Sequence, residues 1–450
     1  MTLSLDDLAA RSGVPLAQLH DWQARGFFRT AATFGPTDLT RVRLLQYLER
    51  HGLGAEALRD GMRVSGQDVE NYVAMMHPSG DEACSLADAA DRLGLPSIDA
   101  ARRLVDAMGL RGDDDLLAPE DVVMLEAWAA ALSVGMSEEA IHQLVRVYRD
   151  ALGRVGEAEI RLFHFYVHEP LRTLGLDEET LMLETHTRAA HLLPIIAPTL
   201  SYFHRRGMAA AAREDLLLHM GAVPIEPTAS VTPAQLVAGV VFTDLSSFTP
   251  MTEVMGDAHA TAVVARFGEI VYDLAGRFAG RVVKQIGDAC MLVFFEPGAA
   301  VSCALDIVGA VAAEPSFPAA RSGIHWGPVL YREGDYLGAG VNLAARLVAV
   351  AERHQVLISA AVRERVADLA GVELAARGSR VLKGIAEPQE LYEARRPTTV
   401  RIAKQRDLVC GMELTPSEIA ARLTLAGAEH VFCSEGCLRR FVAAPQQYLA

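Results

Sequence analysis

Two runs of strand-forming residues, Arg281–Ile286 and residues 290–295, meet at Gly287-Asp288, a dipeptide suited to a two-residue hairpin turn. That hairpin commits this part of the chain to an antiparallel sheet. A third β-branched and apolar run, residues 238–242, ends in Thr243-Asp244. An Asp at the end of a buried strand, followed by a turn, is well placed to face a metal. Asp288 alone is ordinary turn chemistry, but two Asp at adjacent strand ends point to a shared divalent-ion site. Hard carboxylate oxygens suit Mg²⁺ or Mn²⁺. Lys284 stands four residues before Asp288, so in an extended strand both project from the same face.

The hairpin occupies a small part of 450 residues, a length that suggests two to four domains. No basic region followed by an apolar core opens the chain, so no secretory signal is expected. No window reaches about 18 uninterrupted apolar residues, which argues against a membrane partner. The net charge of -15 opposes a DNA backbone. Six cysteines in so long a chain do not form a disulfide framework. A reduced, cytoplasmic setting is the simple reading.

The first 150 residues contain a repeat. S-L-D-D-L-A-A-R-S-G-V-P from Ser4 returns as S-L-A-D-A-A-D-R-L-G-L-P from Ser85, and the helix opened by Gly35-Pro36 returns after Ala118-Pro119. Each copy, residues 1–80 and 81–150, reads as helix, glycine turn, helix, then a proline-started helix. The pair resembles the helix-turn-helix core of MerR-type regulators. Arginines at 11, 25, 29, 41 and 43 are nearly cancelled by acidic neighbours, and Asp113, Asp114 and Asp115 stand where a wing would approach phosphate. Docking and regulation are therefore preferred to DNA binding. Residues 151–222 continue as helix, with Ile160, Phe163, Tyr166 and Val167 at helical spacing, followed by Leu181 to Leu183 and Leu192-Leu193. Core or dimer contacts are expected there. A linker over 223–236, with Pro224, Pro227 and Pro233, leads into the sheet-forming segment.

Asn342 and Arg346 lie four apart in V-N-L-A-A-R-L and share one face of a helix built from small residues. Together with V-V-F-T-D-L-S-S-F-T, R-V-V-K-Q-I-G-D and G-D-Y-L-G-A-G-V-N-L-A-A-R, they make residues 237–396 resemble the catalytic domain of class III nucleotide cyclases. The resemblance implies an α+β, ferredoxin-like core with helices on one face of the sheet. It implies two Mg²⁺ or Mn²⁺ ions at Asp244 and Asp288, with the backbone carbonyl of Leu245 as a further ligand. One ion would activate the ribose 3′-hydroxyl and the other would steady the triphosphate. Lys284 and Asp335 would read adenine, Asn342 would orient the ribose, and Arg346 would meet charge developing at the α-phosphate. Lys383, in V-L-K-G-I, would lie near the β- and γ-phosphates. The implied reaction is ATP to cyclic AMP and pyrophosphate, at sites shared between the subunits of a homodimer. Guanylate cyclase, or a MerR-like regulator with an inactive nucleotide-binding domain, are the competing readings. Ser247 replaces a common glycine, which would tighten the phosphate approach. Trp326 replaces a small polar residue and is expected at a dimer interface or regulatory helix. Cys290 is expected to be a packed small hydrophobe.

The last segment, residues 405–450, holds Cys410, Cys433 and Cys437. Cys433 and Cys437, four apart, can face together at the start of a helix, and Cys410 can join from a preceding knuckle. D-L-V-C-G-M and H-V-F-C-S-E-G-C-L-R-R-F resemble a YHS domain, a small treble-clef-like metal module. Three thiolates favour Zn²⁺ or Cu⁺, with His430 a candidate fourth ligand or a packed residue. So small a domain needs a staple beyond its core, and the metal is either structural or a sensed signal.

Overall fold

The computed structural model describes residues 3–27, 29–53, 69–77, 80, 82–95, 97–110, 116–219, 235–397 and 404–449. Asp113 to Asp115 and the prolines at 96, 224, 227 and 233 lie outside the described residues. The chain divides into two compact units, residues 1–214 and 215–450.

In the first unit the repeat seen in sequence is a repeat of local chemistry. Ser4 caps helix Leu5–Ser12 by accepting from the Asp7 N–H (3.1 Å), and Ser85 caps helix Leu86–Arg92 by accepting from Asp88 (3.0 Å). Helices Leu16–Ala24 and Ile98–Met108 follow, then Pro36–Arg50 and Pro119–Ser133, each opened by proline at the first position. Asp38 and Asp121 reach back to the backbone N–H of Gly35 (3.0 Å) and Ala118 (2.9 Å). Each copy closes its own core, around Leu8, Trp22 and Val42 in the first and Leu86, Leu104 and Leu125 in the second. The first copy's arginines are engaged internally. Arg29 and Arg41 both bind the buried Asp38, Arg25 binds Asp21, and Arg43 donates to the Arg11 carbonyl.

Helix Glu138–Phe163 continues through a π turn, His164–His168, into Glu169–Arg172, and a long helix, Glu178–His219, follows. Leu171 and Leu181 are buried, but Ile160, Leu162, Phe165, Tyr166, Leu193 and Phe203 are exposed.

In the first unit a short antiparallel ladder joins β1 (Cys84–Ser85) to β2 (Leu116–Leu117). The second unit is built on an eight-stranded sheet of β3 (Gln235–Leu245), β4 (Arg281–Ile286), β5 (Ala289–Phe294), β6 (Ala320–Arg332), β7 (Asp335–Leu337), β8 (Val356–Ser359), β9 (Glu373–Arg380) and β10 (Gln389–Arg395). Their order is β4-β5-β3-β6-β8-β10-β9, with β7 on β6. All pairings are antiparallel except β6–β8, which a helical crossover joins. Gly287, at φ 59°, makes the turn from β4 to β5 in a conformation that costs glycine little. β3 is the central strand, paired with β5 and β6. Val241 packs beneath helices Asp257–Arg277 and Pro297–Ala313, while Ala238 and Val240 pack with Ala344 of helix Ala339–Val350 on the other side. Helices on one face alone are therefore not what forms. Gly323 of β6 and Ala344 are small enough to let the Ala339–Val350 helix lie directly on the opposite face.

Trp326 also departs from expectation. It lies in the core, 5% exposed, against Gly239 of β3, whose missing side chain makes its room. An interface role is excluded by that burial. Cys290 is fully buried, as expected of a packed hydrophobe, and burial pushes its thiol up to about 12.

The C-terminal segment joins the same unit. Its strands are β11 (Gln405–Arg406), β12 (Glu413–Leu414) and the hairpin β13–β14 (Ala421–Leu425, Ala428–Phe432), followed by helix Glu435–Ala443. Val409, Met412, Leu414, Phe432 and Phe441 belong to one continuous core with the sheet-covering helices. Burial against those helices thus supplies apolar contacts that forty residues alone would lack.

Candidate functional site

Asp244 ends β3, and its sheet neighbours are Ala289 on one side and Arg321 on the other. The Leu245 N–H donates to the Asp288 carbonyl (3.3 Å), tying the strand end to the hairpin turn. The two side chains are therefore held close. Burial, then the neighbouring Asp244 charge, push the Asp288 carboxyl up to about 6. Arg321 balances part of this charge, donating from Nη2 to Asp244 Oδ2 at 2.8 Å.

Arg321 was not among the residues singled out from sequence. The available signal was an arginine among small residues, A-A-R-S-G, in a strand otherwise destined for burial. Ser247 follows Asp244 by three residues and adopts φ 65°. That left-handed conformation explains why glycine would be at home there. It also starts helix Phe248–Met255, which has no side-chain cap.

Lys284 and Asp335 come from strands far apart in sequence and form an ion pair. The β6–β7 hairpin carries Asp335 across to β4, turning at Glu333 and Gly334, both at positive φ. Asn342 and Arg346 lie on the exposed side of helix Ala339–Val350. Among the described residues no hydrogen bond or ion pair links either side chain to Asp244 or Asp288. Lys383 is exposed, next to Leu382, which packs with Leu343 and Leu347 of the same helix. The described residues thus present a carboxyl pair with Arg321, an ion pair of Lys284 with Asp335, and an exposed helix face that carries Asn342 and Arg346.

A further group lies in the C-terminal segment. Ligand atoms of Asp407, Cys410, Cys433 and Cys437 all fall within 4.8 Å of one another. Cys433 Sγ stands 3.5 Å from Cys410 Sγ and 3.6 Å from Cys437 Sγ. Hydrogen bonds from Cys410, then Cys437, favour the charged form of Cys433 and hold its thiol far below the usual range. Asp407 is fully buried and accepts from the N–H groups of Val409 (2.8 Å) and Cys433 (2.8 Å), so it locks both cysteine loops. The sequence suggested His430 as a candidate fourth member. His430 instead packs on Phe441, with ring centroids 5.1 Å apart, and Asp407 fills that place.

The sequence is similar to known proteins. Residues 232–394 match the model of the adenylate and guanylate cyclase catalytic domain. An uncharacterized protein of Mycobacterium tuberculosis is 32% identical over 360 residues, which cover 78% of this chain and 90% of that one. An adenylate cyclase of Streptomyces coelicolor is 30% identical over 275 residues, covering 60% of this chain and 68% of that one. A pH-sensitive adenylate cyclase of M. tuberculosis is 25% identical over 380 residues, covering 81% and 90%. The chain belongs to the class III adenylate and guanylate cyclase family. Among the described residues no helix is long and apolar enough to cross a membrane.

Proposed function

We propose that the protein is an adenylate cyclase, forming cyclic AMP and pyrophosphate from ATP at sites shared across a homodimer. The observation that carries the base preference is the pairing of Lys284 with Asp335. Adenine offers a ring-nitrogen acceptor beside an amine donor, which an ammonium and a carboxylate satisfy together. Guanine presents the reverse order, so the same pair would leave a donor facing a donor.

Asp244, Asp288 and the Leu245 carbonyl would hold Mg²⁺ or Mn²⁺. The mutual repulsion that raises the Asp288 carboxyl supports that fit, since a divalent cation between the two carboxylates relieves it. When bound, the ions would supply Lewis-acid activation of the 3′-hydroxyl and neutralise triphosphate charge. The chain's own groups do the rest. Asn342 orients the ribose, Arg346 stabilises charge growing on the α-phosphate, and Lys383 attends the distal phosphates. Among the described residues neither Asn342 nor Arg346 bonds to the carboxyl pair, which supports sharing between subunits, as do the exposed apolar residues of the long helices.

The N-terminal repeats, MerR-like in pattern, are read as regulatory. The C-terminal segment is read as a YHS module in which Asp407, Cys410, Cys433 and Cys437 would hold Zn²⁺ or Cu⁺, cross-linking two loops. Incubation with ATP or GTP and Mn²⁺, with the product identified by mass spectrometry, tests the reading. Cyclic AMP formed well in excess of cyclic GMP is expected. Preferential cyclic GMP would reverse the base assignment, and no cyclic product from either would refute the activity.

A further inference from the structure

A cleft of about 460 Å³ opens beside the carboxyl pair, lined by Ser246, Ser247, Arg321, Glu352, Arg353 and Arg406. Three of these are arginines, and they come from different parts of the unit: β6, the loop before β8, and β11 of the C-terminal module. Arg353 and Arg406 both reach one hydroxyl, with Nη atoms 3.3 and 3.4 Å from Ser247 Oγ. Their guanidinium groups are therefore close, and like charges so placed repel unless an anion lies between them.

Their other partners do not cancel this charge evenly. Arg321 is committed to Asp244, and Arg353 to Glu413 and the Gly411 carbonyl. Arg406 is paired with Glu413 in sheet register, yet that carboxylate is already taken by Arg353 and His354. Among the described residues no carboxylate pairs with Arg406. Its side chain instead turns over the cleft.

The module is seated firmly enough to hold it there. A side chain at Gly411 would fall 2.3 Å from Ser247 Cβ, so the cysteine loop lies directly on the turn that follows Asp244. Asp407, the next residue after Arg406, ties that loop to Cys433.

We propose that the C-terminal module completes the substrate site: Arg406, with Arg353 and Arg321, forms a subsite for the polyphosphate tail of the nucleotide. Guanidinium groups suit this ligand because their paired N–H donors match phosphate oxygens. Arg321 lines the cleft and also binds Asp244, so a nucleotide whose α-phosphate lies at the carboxyl pair directs its outer phosphates toward the cleft. This inference rests on the cyclase reading, and its test separates the two.

The full-length protein and its Arg406→Ala, Arg406→Lys and Arg422→Ala variants are compared in two assays. One is cyclic nucleotide formation from ATP with Mn²⁺. The other is calorimetric titration with inorganic tripolyphosphate. Arg406→Ala should raise KM for ATP about tenfold with kcat within about twofold, and weaken tripolyphosphate binding by a similar factor. Arg406→Lys should recover part of both. Arg422→Ala, which removes an exposed charge paired to Glu429 on the same module, should change neither. If the wild type cyclises ATP and Arg406→Ala matches it in both assays, the subsite is wrong while the cyclase stands. If no cyclic product forms but tripolyphosphate binds in an Arg406-dependent way, the subsite holds and the cyclase reading fails.

Discussion

Gly323 links packing to the helix that carries the proposed catalytic residues Asn342 and Arg346. A Cβ there would lie 2.2 Å from the Val348 backbone nitrogen, 2.7 Å from Leu347 Cβ and 2.8 Å from the Ala344 carbonyl oxygen. All three atoms belong to helix Ala339–Val350, which carries Asn342 and Arg346. Two are backbone, so no rotamer change relieves the clash. Ordinary contact begins at 3.4 Å, so Gly323→Ala must move the helix by more than an ångström. Overpacking of this kind costs about 1–3 kcal/mol. For a unit of this size that corresponds to a melting midpoint lowered by roughly 3–10 °C. The catalytic cost should be larger, because an ångström of misplacement in a positioning group can lower the rate about 10²-fold. Steady-state cyclase assays and thermal melts are compared with Gly309→Ala. That helical glycine has nothing within 4 Å of an added Cβ and should gain roughly 0.4–1 kcal/mol at unchanged kcat. A Gly323→Ala protein with wild-type kcat and midpoint would refute the claim that this contact seats the clamp helix.

Three further outcomes are expected. Lys284→Glu with Asp335→Cys should lower kcat/KM for ATP by about 10²-fold and shift preference toward GTP, measured by parallel assays with both nucleotides. Asp407→Asn places an amide donor against backbone N–H groups in a buried position and should destabilise the C-terminal module by about 1–3 kcal/mol, read by denaturant melts without added metal. Burial, then the nearby His164, depress the pKa of His168, so the folded state binds fewer protons than the unfolded one. Stability of the first unit should hold above the ordinary histidine value of 6.5 and fall as pH drops below it. His168→Gln should flatten that slope in thermal melts across the same range.

Local chemistry was legible in the sequence where neighbours along the chain decide it. Gly287 makes the β4–β5 turn, serine caps open both repeats, and prolines open their third helices. What escaped depends on which strands become neighbours. Arg321 meets Asp244 only because β6 lies beside β3, a pairing across 77 positions that no periodicity encodes. Trp326 reads as an interface candidate until Gly239 is seen to make room for it across the same pair of strands. Asp407 was not singled out, and His430 was left as either a fourth ligand or a packed residue; it is packed on Phe441. The buried hydrogen bonds of Asp407 to both cysteine loops become visible only once the loops are folded together. The one-sided sheet failed for a similar reason, since Gly323 marks a helix contact that its sequence context does not announce.

The most direct test of a site divided between two subunits is complementation. Asp244→Ala removes a residue from the carboxyl group of the site and Arg346→Ala one from the clamp, so each variant alone should form no cyclic AMP. Co-expressed with different tags and purified as a heterodimer, they restore one intact site per pair, and activity should return to about half that of the wild type. A purified heterodimer as inactive as its parents would contradict the account.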